Sequence, residues 1–307
     1  MIIYVQSRGK NQDQDYRWFR IKAKDYYPEN PNFLLQPIIN LTVRPIDLIE
    51  SQKPSIVLVA TVNDYCLLVT GLTATERTDF IGRPVRNSVL WICRKDSENL
   101  KIRSLLILAL REKLDRAIDK TINISGEYGF KVDYKALKEL SNSTLSIGNN
   151  DHIDPKCKIG KNCDSLREEI AFELESNTLP NKEGLLVLVT SIKSASALKE
   201  TGVWRGLSSR VESEKLEKYY EENGTKKKTL WIQVAIASIL IIAIAFSIIK
   251  TYTPPKPEPE VIPTPSTIQK NSPTTSKEEL NPSVNLIKAK EISYLISSHI
   301  FPEEYGI

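Results

Sequence analysis

The chain has 307 residues, with 42 Lys or Arg against 38 Asp or Glu and a formal net charge of +4. The two signs are interspersed, and no stretch is basic enough for a duplex-binding surface. Its two histidines, His152 and His299, exclude a multi-histidine metal centre.

The first elements read as strands. Ile2–Ser7 alternates weakly, Asn11–Asp15 is a polar turn, and Tyr16–Ile21 returns with alternating aromatic and basic residues. Single-strand nucleic-acid readers use such alternation, but aromatics make up only 7% of the chain, and core packing is the expected role. Asp25–Pro37 is loop, and Pro45 opens a short helix. Ser55–Val62 and Tyr65–Leu72 flank Asn63-Asp64, a two-residue hairpin turn. Thr73–Pro84 reads as a polar loop and Val85–Cys93 as a third strand, with Cys66 and Cys93 in the core.

Helical spacing follows. The apolar positions of Lys101–Lys120 cover a wide face, which predicts one helix lying flat on a sheet. Asp133 caps a short helix over Tyr134–Leu140, and Ser141–Lys161 is polar and irregular. Asp164 or Ser165 caps a helix through Ser176, with Glu168 or Glu169 placed for a capping box. Gly184–Thr190 is a nearly all-apolar strand, expected at the centre of a sheet. A helix over Ser194–Glu200, a loop over Gly202–Leu207 and a charged helical stalk over Arg210–Glu222 complete this part. The expected fold is an α/β or α+β domain with a mixed sheet.

Leu230–Ile249 holds twenty residues without charge, Pro or Gly, enough for a helix to span a bilayer. A buried core helix is the competing reading, but TPPKPEPE follows at once. Lys226, Lys227 and Lys228 precede the segment, which puts the N-terminal side in the cytoplasm. No apolar signal-peptide core lies near the N-terminus. The expected order is a cytoplasmic domain over 1–209, a stalk over 210–229, a single transmembrane helix over 230–249, a Pro/Ser/Thr-rich disordered linker over 250–284 and a short helix within 285–307 outside. The expected location is the inner membrane, single-pass. The expected partners are the bilayer and a second copy through Gln233 and the Ser238–Ser247 face.

Two clusters are candidate sites. Thr73–Asn87 offers Arg77, Arg83 and Arg86 as a bidentate clamp for a small anion, with Asp79 to orient one of them or accept a proton. The competing reading is a turn in which Asp79 pairs with Arg83 for shape alone. Trp204 and Arg205 follow the central strand, where Arg205 reaches an anion and Trp204 stacks on a ring. Ser191, Lys193, Ser194 and Ser196 lie past the same strand as phosphate contacts; against this, Trp204 packs on the sheet. His152, Asp154, Cys157 and Cys163 do not match zinc-knuckle spacing. No dinucleotide, P-loop or nucleophile-elbow motif is present, so neither cofactor nor resident metal is expected.

The layout is similar to that of membrane-tethered components of bacterial conflict or signalling systems. The likeness implies a soluble sensing domain joined to a membrane helix, and no specific motif carries it. The function expected is membrane-anchored signalling or regulation, with a cytoplasmic domain that binds a small anionic ligand, such as a nucleotide, or a protein partner. The alternatives are a tethered enzyme using the 76–87 loop, or a scaffold acting through its tail.

Overall fold

The first half of the chain folds as two antiparallel three-strand meanders set side by side in one sheet. Its strands are β1 (Ile2–Ser7), β2 (Arg17–Ile21), β3 (Tyr26–Pro28), β4 (Ser55–Ala60), β5 (Asp64–Thr78) and β6 (Pro84–Arg94). A computed structural model of the protein describes residues 1–23, 26–50, 53–145, 148 and 154–219. After β6 come α1 (Asn99–Leu110), α2 (Leu114–Asp119), the small ribbon β7 (Ile122–Asn123) and β8 (Lys131–Val132), and α3 (Tyr134–Asn142). Then β9 (Cys157–Lys161), α4 (Asp164–Ser176), β10 (Gly184–Ser194), α5 (Ala195–Glu200), β11 (Arg205–Arg210) and β12 (Glu217–Tyr219) complete the described chain.

Ten strands form one mixed sheet in the order β12-β9-β11-β10-β4-β5-β6-β1-β2-β3. Both faces are covered, and strand alternation divides the apolar residues between them. On β4, Ile56, Leu58 and Ala60 face the layer that holds α1, α2, α3 and α4. Val57 and Val59 face the other layer, with Leu34, Leu48 and Leu198 of α5. Strands β9, β11 and β10 run parallel. The crossover from β9 to β10 passes through α4 on one face, and that from β10 to β11 through α5 on the other.

Several expectations hold. β10 lies between β4 and β11 near the middle of the sheet. Asp133 caps α3 by accepting from the Ala136 N–H at 3.0 Å, and the helix expected over Ser194–Glu200 is α5. Pro45 opens a single 3-10 turn, Pro45–Leu48.

Others are corrected. The expected single helix over 101–120 breaks between α1 and α2, where Glu112 has φ +53. No Gly or Pro marks that break. The charged stretch after Arg210 supplies edge strand β12 where a stalk helix was expected. α4 begins without a side-chain cap or capping box. β9 and β11, CKIGK and RGLSSR, are too poor in apolar alternation to read as strands, yet each is paired on both sides. Gly206 makes β11 possible, since an added Cβ would lie 2.7 Å from Val203 Cγ1.

The membrane reading is also corrected. Among the described residues no helix is long and apolar enough to cross a membrane. The longest, α4, has 13 residues. At 1.5 Å per residue it reaches about 20 Å, short of the roughly 30 Å hydrocarbon layer. Leu230–Ile249, its flanking segments and the tail lie outside the described residues. The single-pass architecture, inner-membrane location, bilayer partner and self-association through a span are therefore not retained. The membrane-anchored signalling function falls with them, as do its tethered-enzyme and tail-scaffold alternatives and the resemblance in layout to tethered defence components.

Candidate functional site at the β5–β6 tip

The segment expected to be a polar loop is the outer half of a long hairpin. β4 pairs with β5 only as far as Thr70, and β1 pairs with β6 only from Ser88. Beyond those points β5 and β6 continue by pairing with each other, through Leu72↔Asn87 and Thr73↔Arg86 to Thr78↔Pro84. A register irregularity at Gly71 starts this outer section. Gly71 has φ +74, and an added Cβ would lie 2.4 Å from the Lys53 carbonyl oxygen.

At the tip, Asp79-Phe80-Ile81-Gly82-Arg83 forms a type I turn closed by a glycine bulge. The Gly82 N–H donates to Asp79 O at 3.1 Å, and the Asp79 N–H donates to Arg83 O at 2.9 Å. Gly82 has φ +82, the left-handed conformation that this loop requires. The Asp79 side chain fastens the turn from within. Its Oδ1 accepts from the N–H groups of Ile81 at 3.0 Å and Arg83 at 2.9 Å, and its Oδ2 accepts from Arg83 Nε at 2.9 Å. Asp79 is only 4% exposed. Burial pushes its carboxyl up, but the Arg83 and Ile81 donors outweigh this and hold it below the usual carboxylate range.

Phe80 and Ile81 occupy the two central turn positions and remain 48% and 57% exposed. The β1–β2 loop backs them. The Arg8 guanidinium lies 5.5 Å from the Phe80 ring centre, 5.4 Å from that of Tyr16 and 3.7 Å from Asp79 Oδ2. The Arg86 N–H donates to Tyr16 Oη at 3.0 Å.

The root of the hairpin is polar and buried. Arg77 donates to Ser7 Oγ at 3.0 Å and to Asn87 Oδ1 at 2.7 Å, and lies 3.6 Å from Asp119. Asp119 and Asp115 of α2 accept from the N–H groups of Thr75 at 2.7 Å and Thr73 at 3.1 Å, stitching the helix to the hairpin. Arg86 turns inward to the Gly71 carbonyl at 3.4 Å and the Thr73 hydroxyl. The buried Nε atoms of Arg8 and Arg77 and Nδ2 of Asn87 find no acceptor among the described residues. This network is held by charge pairs rather than by saturated hydrogen bonding.

Each arginine of the expected anion clamp has a partner within the protein: Arg77 faces Asp119, Arg83 faces Asp79 and Arg86 faces backbone and hydroxyl oxygens. Arg205 and Trp204 are equally internal. Arg205 is 0% exposed and forms a two-pronged pair with Glu173 of α4. It also donates to Lys156 O at 2.6 Å and Trp204 O at 2.9 Å, and stacks 4.0 Å from the Trp204 ring. The Trp204 indole donates to Asp154 O at 2.8 Å. Ser191 bonds to Glu50, and Ser194 to Ser196 at 2.9 Å. The small anionic ligand is therefore not retained.

Among the described residues no group of three or more His, Cys, Asp or Glu could hold a metal ion, and His152 lies outside them. A 480 Å³ cleft between α1 and α4 is lined by Arg111, Glu112, Lys113, Asp164, Arg167 and Glu168. Its arginines are paired with carboxylates, Arg111 with Glu168 at 2.6 Å and Arg167 with Glu112 at 2.8 Å.

The sequence held a signal for the tip that charge content obscured. Asp79 followed by Gly82 before Arg83 is the pattern of a type I turn with a glycine bulge, and Thr73–Thr78 has the Thr-rich composition of a strand. Neither a family model, nor a curated protein, nor a solved structure matches the chain.

Proposed function

We propose that the described domain is a docking module that engages another protein through the β5–β6 tip. Phe80 and Ile81 enter an apolar pocket on the partner, and a carboxylate at the pocket rim meets Arg83. The observation that carries this reading is the display of two large apolar side chains on a turn fixed by a buried carboxylate. Central turn positions usually carry Gly, Pro, Asn, Asp or Ser, whereas this apolar pair stays outside both cores, with Phe80 meeting the Arg8 guanidinium 5.5 Å from its ring centre. A preorganised aromatic loses little entropy on binding and is a typical energetic centre of an interface. Arg83 adds charge complementarity. Its Nε is taken by Asp79, while its two terminal nitrogens have no acceptor among the described residues and the side chain is half exposed. Asp79 is a positioning residue in this reading, and Phe80, Ile81 and Arg83 are the contacts.

The test is photo-crosslinking of the full chain inside the cells that make it. A photoreactive residue at position 81 is compared with one at Val62, which is 66% exposed near the opposite end of β5. A discrete adduct from position 81, absent from position 62 and lost with Phe80→Ser, is the expected result. Equal or absent adducts at the two positions contradict the proposal.

A further inference from the structure

Cys157 and Lys182 form a second chemical cluster, at the far side of the sheet from the hairpin tip. Cys157 opens β9 and is buried. Lys182 lies in the connection from α4 to β10, and its Nζ is 3.7 Å from Cys157 Sγ. Both groups address one acceptor. Lys182 Nζ donates to the Gly202 carbonyl at 3.0 Å, and the thiol approaches the same oxygen at 3.8 Å. No carboxylate among the described residues pairs with Lys182, unlike Lys158, whose partner Asp154 is 3.0 Å away. A half-buried ammonium held by a carbonyl and a thiol is an unusual arrangement for a merely structural lysine.

The other described cysteines lack this setting. Burial pushes the thiols of Cys66 and Cys93 up to about 12, which makes them inert. Cys163 contacts the Ser165 hydroxyl at 3.2 Å.

We propose that Cys157 and Lys182 form a redox-controlled covalent cross-link, with hydrogen peroxide as the oxidant. Peroxide oxidises the thiol to a sulfenic acid and releases one water. The Lys182 amine, having given a proton to solvent, then attacks the sulfur. The S–O bond breaks, the hydroxyl leaves as a second water, and an S–N bond remains. The sum is thiol plus amine plus peroxide to sulfenamide plus two waters; sulfur is oxidised and peroxide reduced. The Gly202 carbonyl, accepting from the lysine at 3.0 Å, holds its nitrogen 3.7 Å from sulfur. A thiol reductant reverses the step by exchange at sulfur. The bond ties the start of β9 to the strap that enters β10, closing a loop that includes the whole of α4.

The experiment exposes the purified full chain to a small excess of hydrogen peroxide and digests it for mass spectrometry. The expected product joins the Cys157 and Lys182 peptides at a mass about 2 Da below their sum, the two hydrogens lost in the oxidation. Dithiothreitol separates them again. Lys182→Arg keeps the positive charge and the carbonyl contact, and it should abolish the link while leaving the reduced protein's melting temperature unchanged. Oxidised wild type should melt several degrees higher than reduced wild type, with no such rise for Lys182→Arg. Unlinked peptides carrying a sulfinic acid at Cys157, an alkylatable Cys157 after oxidation, or a link that retains an oxygen atom would each overturn the proposal.

Discussion

Single side chains decide the shape of the β5–β6 tip. Asp79 supplies three hydrogen bonds to a turn of five residues, and its carboxyl sits below its ordinary value because those donors outweigh burial. A group with a depressed folded value stabilises fully above its unfolded value, near pH 4, and loses that contribution as the pH falls through the folded value. Urea titrations between pH 7 and pH 2 should therefore show a shallower acid loss for Asp79→Asn than for wild type; identical slopes would show that Asp79 is not held as described. Two glycines on the same hairpin separate strain from crowding. Gly82→Ala meets nothing within 4 Å and is limited by its φ of +82, so a cost of about 1 kcal/mol is expected. Gly71→Ala adds a Cβ 2.4 Å from a backbone oxygen to a similar φ, and it should cost clearly more in the same denaturation assay. Arg205 is fully buried and pairs with the Glu173 carboxylate. Arg205→Leu strands Glu173 and should cost about 3–5 kcal/mol, whereas Arg205→Leu with Glu173→Leu should recover much of the loss. A single variant within 1 kcal/mol of wild type would mean that the pair is not structural.

At the scale of elements, the α1–α2 break and the hairpin root belong together. α1 must end at Leu110 so that α2 can present Asp115 and Asp119 to the N–H groups of Thr73 and Thr75. Glu112 takes a left-handed conformation to make that corner. Glu112→Gly should be neutral or stabilise by up to about 1 kcal/mol, because Glu112 is 57% exposed and Arg167 keeps Asp164 as a partner when their pair is lost. Legibility follows the same physics. β4, β10 and α3 could be read because five apolar residues in a row, or a cap followed by helical spacing, report burial through hydropathy alone. β11 could not, because Gly206 and Ser208 are held by pairing and close packing rather than by apolar area. The arginines were misread for a related reason. Charge in a polar stretch suggests exposure, but Arg205 finds its carboxylate 32 residues away, on a helix, and Arg77 finds Asp119 on α2. Spacing in sequence carries no trace of such pairs.

For the whole molecule, the sheet joins an antiparallel half to a three-strand parallel half, both faces are covered, and its two edge strands are short. Pro28 on β3 removes a donor from one edge, which discourages strand addition there. The hairpin tip presents two adjacent exposed apolar side chains on a fixed turn, while Val62, Ile124 and Phe172 are exposed elsewhere on the scaffold. Removing those side chains should leave the scaffold intact: Phe80→Ser with Ile81→Ser is expected to change unfolding free energy by no more than about 1 kcal/mol, the scale of the Arg8 contact that Phe80 loses, since neither side chain belongs to a core. The most direct measurement is the affinity of the full chain for the protein crosslinked at position 81, for wild type, Phe80→Ala and Asp79→Ala. Loss of affinity by about tenfold or more with Phe80→Ala, and a smaller loss with Asp79→Ala through a loosened turn, is the predicted outcome. Unchanged affinity for Phe80→Ala in a folded protein would contradict the docking role of the tip.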